Sequence, residues 1–381
     1  MNKFLAVMAG LLLLACGSPE QKEEQTQNSM TTDYQFLLGT YNEENRKGIH
    51  LVNFAPDQEK LEILATAPEP DNPSFVIMNK TQNLVFSVEE TGGEQGGKVS
   101  SFALKEGRFG KINSVSSQGE HPCYVSMDPS EKFLVAGNYS SGNFAVIPVS
   151  REGRLSDAVQ TIQHQGSSVN PNRQKQPHVH AAIFHPQDHR LLIADLGTDE
   201  VVVYDFDSQN DKPVAEEPFY RLKVSPGAGP RHLVFNSKGD RLYLVHEITA
   251  EIGVYGYLDG KLEHIATHSL LQDGFEGKVG AAEIRITEDD RFVYVSNRGE
   301  ANEIIVFQAQ NDGGLTHIQT IPSGGEAPRN FNLTPDGKYL LAGNQNSSKL
   351  VVFEKDDDTG KLTPTDMTLN VNKPVYINFL N

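Results

Sequence analysis

Apolar and polar positions along the chain fall into short runs of β type separated by turn residues, and the same arrangement returns about every 50 residues. The clearest copy is Pro230–Glu247, PRHLVFNSKGDRLYLVHE. Two apolar runs, LVF and LYLV, flank the polar turn Ser237–Asp240, which reads as an antiparallel hairpin with Arg231 and Glu247 side by side at its open end. Aligned on that turn, copies start at Lys80, Pro129, Pro186, Ser237, Glu288 and Pro335, at intervals of 49, 57, 51, 51 and 47 residues. Four or five residues after each start comes a second apolar run (LVFSV, FLVAG, LLIAD, LYLV, FVYVS, YLLAG), then a third such as FAVIPV or VVVYDF, then a weaker fourth such as LTHIQTI. The alternation inside these runs is imperfect, as in strands buried on both faces.

Four strands per repeat of this length describe the blade of a β-propeller. Residues 36–67 form a further copy that lacks its first strand: FLLGTYN, GIHLVNF and LEILATA match the second, third and fourth. The missing strand is found at Lys373–Phe379, KPVYINF, which parallels His121–Met127, HPCYVSM. The pattern therefore predicts an all-β, seven-bladed propeller over residues 34–381, closed by a C-terminal strand that completes the first blade and removes the open sheet edges. Without tryptophan the Trp-Asp signature of one large propeller class is absent, and no double-glycine kelch pattern recurs.

The first strand of a blade lines the central channel, and the second ends on the face where the first begins. Six residues before each turn start stand Ser74, Cys123, His180, Arg231, Ala282 and Arg329, with Val375 from the closing strand. Ten residues after it stand Glu90, Tyr139, Leu196, Glu247, Arg298 and Gln345, preceded by a column of Glu89, Asn138, Asp195, His246, Asn297 and Asn344. His180, Arg231, Glu247, Arg298 and Arg329 are thus expected to converge on one mouth of the channel. Three arginines around one carboxylate leave positive charge over, which suits an anionic ligand or a developing oxyanion; a structural ring of ion pairs plugging the channel is the other reading. His178 is expected to order the loop before His180, Asp195 to bond backbone, and His246 to be structural. His232 should face a blade interface by strand alternation. Cys123 shares the register of His180, as a nucleophile or as packing. His178 and His180 make only a two-ligand pair, so no metal or cofactor is implied.

The N-terminus changes the picture of where the domain works. Residues 1–15 carry Lys3 and an apolar run from Phe4 to Ala15, too short to span a bilayer and of the length of a signal-peptide core. The run ends in Leu13-Leu14-Ala15-Cys16-Gly17, which resembles the lipobox of bacterial lipoproteins. The resemblance implies cleavage before Cys16 and its lipidation, with 16–33 as lipidated cysteine and flexible tether. It places the domain outside the cytoplasm, with the outer membrane favoured and the lipid as its one link to the membrane. Cys123 is then the one cysteine left in the mature domain, and no intramolecular disulfide can form. The formal charge of −17 argues against a nucleic-acid partner. A closed ring needs no second copy for stability, so a monomer is expected.

QPHVH at 176–180, ADLGTDEVVVY at 194–204, GPRH at 229–232, HE at 246–247 and SNRG at 296–299 resemble the lactonase-type seven-bladed propellers, as do HPCYVSMDP at 121–129 and NQNSSKLVVF at 344–353. That family includes propeller-type bacterial 6-phosphogluconolactonase and fungal carboxy-cis,cis-muconate cyclase. The resemblance implies hydrolysis of an anionic, acidic sugar lactone without a cofactor, and a site of His180, Arg231, Glu247 and Arg298. Lactone hydrolysis needs a base for water and donors for the tetrahedral oxyanion. Glu247 is the first choice of base and His180 the acid or alternate base. Arg231 and Arg298 would hold the oxyanion and the substrate's anionic group, with Arg329, His178 and Asp195 as substrate-binding candidates. A muconate-type cycloisomerase and a non-catalytic binding propeller remain open beside it.

Overall fold

In a computed structural model, described for Met1 and residues 33–41 and 48–380, the strands form seven four-stranded antiparallel sheets arranged as the blades of a ring. Residues 2–32, which hold Cys16 and nearly all of the expected signal segment and tether, lie outside the described residues. Blade 1 joins Pro374–Phe379 to Tyr34–Thr40, Ile49–Ala55 and Lys60–Ala67. The closing strand enters in the register expected of an innermost strand, with Phe36 opposite Phe379, Leu38 opposite Ile377 and Gly39 opposite Tyr376. Blades 2 to 7 begin with Val76–Met78, Pro122–Met127, Val179–Phe184, Pro230–Phe235, Ala281–Ile286 and Pro328–Leu333. Among the described residues no helix is long and apolar enough to cross a membrane.

Burial explains why the second and third runs look continuous. Phe133–Asn138 is buried at every position, whereas the outermost strand Leu362–Asn370 alternates between exposed and half-buried positions from Pro364 onward. Inner strands are covered by neighbouring blades on both faces and outer strands meet water on one. The apolar clusters sit between blades. Leu192, Val201 and Leu222 of blade 4 pack on Leu233, Leu242 and Tyr255 of blade 5, and Leu341 and Val352 of blade 7 pack on Phe36, Leu38 and Ile377 of blade 1. The turn between first and second strands is fastened by a polar side chain in blade after blade. Asp128 accepts the amides of Lys132 (2.8 Å) and Phe133 (2.7 Å), and Asn236 and Thr334 repeat the role toward Arg241 and Tyr339.

One irregularity positions the site. In six of the seven innermost strands the pairing with the second strand slips by one residue at the channel mouth: between Pro122 and Tyr124, Val179 and Ala181, Pro230 and Leu233, Ala281 and Ile284, Pro328 and Asn330, and at Val375 in the closing strand. A bulge of this kind adds one residue outside the ladder and re-aims its side chain. Cys123, His180, Arg329 and Val375 are those extra residues, and Arg231 with His232 and Ala282 with Glu283 occupy the same place in blades 5 and 6.

Candidate active site

The mouth expected from the register is a cavity of about 450 Å³ lined by His180, Glu247, Arg298, Arg329, Cys123, Tyr139, Glu90 and Arg173 among others. Its centre is the Glu247 carboxylate, which is buried. Oε2 receives Nε of Arg231 at 2.8 Å and Nη2 of Arg298 at 2.9 Å, and Nε2 of His180 stands 3.9 Å away. Each arginine is anchored a second time on backbone: Arg231 Nη1 donates to the Ala282 carbonyl (2.6 Å) and Arg298 Nε to the Gly280 carbonyl (2.9 Å). Four of the residues expected at the mouth, from blades 4 to 6, thus form one cluster.

The third guanidinium on Glu247 is not Arg329 but Arg173, whose Nη2 meets Oε1 at 2.6 Å and also donates to the Tyr139 hydroxyl at 3.1 Å. Arg173 comes from the connection at 164–178 between strands ending at Gln163 and beginning at Val179, 15 residues long by that count. Loops of about that length without secondary structure are uncommon and often functional. The one signal in the sequence was the 57-residue interval between copies, the widest of the set. Arg329 lies across the cavity, 3.8 Å from Glu90 and over the Tyr41 ring at 5.3 Å. Glu90 itself accepts from the Tyr41 hydroxyl (2.7 Å) and from Ser74.

Asp195 and His178 are not brought into the cavity. Asp195 is fully buried and accepts the amides of His178 (2.8 Å), Gly197 (2.9 Å) and Thr198 (3.2 Å), with His164 Nδ1 on its other oxygen at 2.8 Å. His178 stacks on Tyr139 with ring centroids 4.4 Å apart and bonds the Tyr139 carbonyl through Nδ1. Both shape the loop that presents His180 and Tyr139. His232 is a correction. It does not face a blade interface; the bulge in Pro230–Phe235 breaks the alternation and turns it into the channel beside Arg231. There its ring meets His180 at 5.3 Å and its Nδ1 lies 3.3 Å from Glu283, which is held in turn by Arg285 (2.8 Å) and Asn330. This buried layer under the mouth was missed in the sequence because alternation assigned its residues elsewhere.

Burial and charge sort the titrating groups. Burial, with the charges of Arg231 and His232 beside it, pushes His180 well below the ordinary histidine range, so it is neutral at pH 7. Burial alone would raise the Glu247 carboxyl, but Arg298 and Arg231 lead a set of cations that holds it well below the usual range and fully ionised. Burial and the neighbouring Arg298 bring Arg231 down to about 10. Burial raises the Cys123 thiol, whose Sγ is 3.8 Å from His180 Nδ1, so no thiolate is available near neutrality. Among the described residues no group of three or more His, Cys, Asp or Glu side chains is placed to hold a metal ion.

The seven-bladed ring matches what comparison finds. Residues 35–379 match the family model described as lactonase, seven-bladed beta-propeller. The chain belongs to that lactonase family. Within it, the 6-phosphogluconolactonase of Bacillus subtilis is 32% identical over 353 residues, covering 92% of this chain and 99% of the relative. The 6-phosphogluconolactonase of Formosa agariphila is 30% identical over 332 residues, covering 85% and 93%. Among solved structures, the periplasmic gluconolactonase of Pseudomonas aeruginosa superposes with a TM-score of 0.87 at 33% identity, covering 92% of this chain and 99% of that one.

Proposed function

We propose that the chain hydrolyses an acidic sugar lactone at this mouth, with His180 as general base and Glu247 as its ionic partner. The observation that carries the choice is the occupancy of Glu247. Both its oxygens are engaged by guanidiniums, and a carboxylate so held is a weak base, whereas the neutral His180 lines the cavity with Nε2 turned toward Glu247. His180 takes a proton from water as the water oxygen attacks the lactone carbonyl carbon. The Glu247 charge stabilises the imidazolium, guanidinium N–H groups of Arg298 and Arg329, which line the cavity, stabilise the oxyanion, and the buried Arg231 holds Glu247 in place. As the tetrahedral centre collapses, the bond from the carbonyl carbon to the ring oxygen breaks. That oxygen leaves as a hydroxyl carrying the His180 proton, and the product is the open hydroxy acid.

The reaction class is supported by family membership and by relatives named 6-phosphogluconolactonase and gluconolactonase. The signal-like N-terminus, with Cys16 as lipidation site, and the likeness to a periplasmic protein favour a domain working outside the cytoplasm as a monomer. Cytoplasmic sugar phosphates do not reach it there, so an unphosphorylated sugar-acid or uronic lactone is the favoured substrate. The test is proton release by the purified protein on 6-phosphogluconolactone, gluconolactone, glucuronolactone and muconolactone. Turnover that falls by about 100-fold or more in His180→Asn is expected; a folded protein with no turnover on any lactone would return the reading to a binding propeller.

A further inference from the structure

Arg173 differs from the other arginines of the mouth in three ways. It comes from the middle of a long loop and not from a blade strand or the residue next to one; its side chain is 42% exposed where that of Arg231 is 1%; and it holds Glu247 by the oxygen the others leave alone. Glu247 does not depend on it, because Oε2 is already held by Arg231 and Arg298. The loop beneath it is fixed. Gln174 is fully buried and donates to the Leu196 carbonyl (2.9 Å) and to Asp199 (2.8 Å). Asp199 also takes the amides of Gly227 and Gly229 just before the Arg231 strand. The Arg173 amide is tied to Asn170. The backbone is thus pinned to the frame that carries Arg231, while the guanidinium projects half into solvent over the cavity. The guanidinium is half-exposed while the carboxylate is buried, so Arg173 can turn to another anion at the cavity mouth while Arg231 and Arg298 still neutralise Glu247.

We propose that Arg173 is the residue by which the site reads the negative charge of its substrate: the guanidinium leaves Glu247 Oε1 and takes the substrate's carboxylate or phosphate in its place, one charge-assisted bond for another. The exchange uncovers Oε1 and removes one of the three cations that share the Glu247 charge, so the carboxylate supports a protonated His180 more strongly only when an anion is bound. An uncharged lactone gives Arg173 nothing to move to, so it meets a Glu247 that is still shared. Arg173 is then a specificity-determining residue, and the inference rests on the lactone-hydrolase reading.

The test compares Arg173→Met, which keeps the length and loses the charge, with Arg173→Lys, on anionic 6-phosphogluconolactone and glucarolactone, whose second carboxylate is free, and on uncharged gluconolactone. Arg173→Met should lower kcat/KM for the anionic lactones on the order of 10- to 100-fold, mainly through KM, and Lys should restore part of it. Turnover of uncharged gluconolactone should fall much less, so that the preference for anionic over uncharged lactones drops by about 10-fold or more. An equal fall on charged and uncharged lactones would mean that Arg173 merely props Glu247, and would overturn the proposal. Calorimetric binding of glucose 6-phosphate against glucose, to wild type and Arg173→Met, separates the two levels. If no lactone is turned over, the hydrolase reading fails, yet anion binding that weakens in Arg173→Met still supports charge reading by Arg173. Anion binding indifferent to the substitution overturns it.

Discussion

Glu247 Oε2 is shared between a guanidinium with almost no contact with water and one at the cavity wall. Glu247→Gln removes the charge and leaves Arg231 buried without its partner, a loss of the kind that costs about 3–5 kcal/mol. The variant should therefore show both a lower urea midpoint and turnover reduced by about 100-fold or more. Cys123→Ser, by contrast, should change turnover by no more than about twofold, because the buried thiol is protonated. Acid should weaken the fold through the same cluster. His232 is held at about 4 by burial and by Arg231, against about 6.5 when unfolded, so the unfolded chain binds a proton in that interval that the folded chain refuses. Stability is then full above pH 6.5 and declines as pH falls toward 4. Glu283, which burial would raise, is held by Arg285 and His232 at about 2 and continues the decline below its ordinary value of 4.5. Urea midpoints measured from pH 8 to pH 4 should fall steadily below 6.5, and His232→Gln should flatten the upper part of that slope.

At the scale of the element, the bulge decides what the mouth contains, and the turns decide whether it is held. Gly299 follows Arg298 with φ +77°, and a Cβ there would stand 2.2 Å from the Lys278 carbonyl oxygen. Gly299→Ala must displace the segment whose Gly280 carbonyl anchors Arg298. It should destabilise by about 1–3 kcal/mol and raise KM while leaving the other blades intact, read by urea denaturation and kinetics. These elements also mark where sequence reading succeeds and fails. The blade strands were legible because each needs an apolar run between turn residues, and the split first blade because KPVYINF and HPCYVSM share one pattern. His180, Arg231, Glu247 and Arg298 were legible because distance from the turn fixes height in the channel. The extra residue of a bulge leaves that distance unchanged and alters direction, so Arg231 was placed rightly and His232 wrongly. Arg173 follows no strand register, and a long loop says that something is there without saying which side chain returns to the centre.

The whole ring depends on a strand supplied from the far end of the domain. Removal of residues 374–379 would expose the Tyr34–Thr40 edge and the packing of Phe36 and Leu38 against Ile377 and Phe379. The shortened chain should elute as soluble oligomers or aggregate, and should lose cooperative unfolding in circular dichroism, because an unpaired apolar edge recruits other chains. Within the closed ring six of the seven blades bring their mouth residue on a bulge. Because that residue stands outside the ladder, its side chain can be exchanged without shifting any strand pairing. Ala282, between the blades of Arg231 and Arg329, occupies such a place and adds no chemistry of its own. The mouth is thus written in single letters at fixed addresses round a circle, and a new specificity could arise by changing one letter while the rest of the text stands.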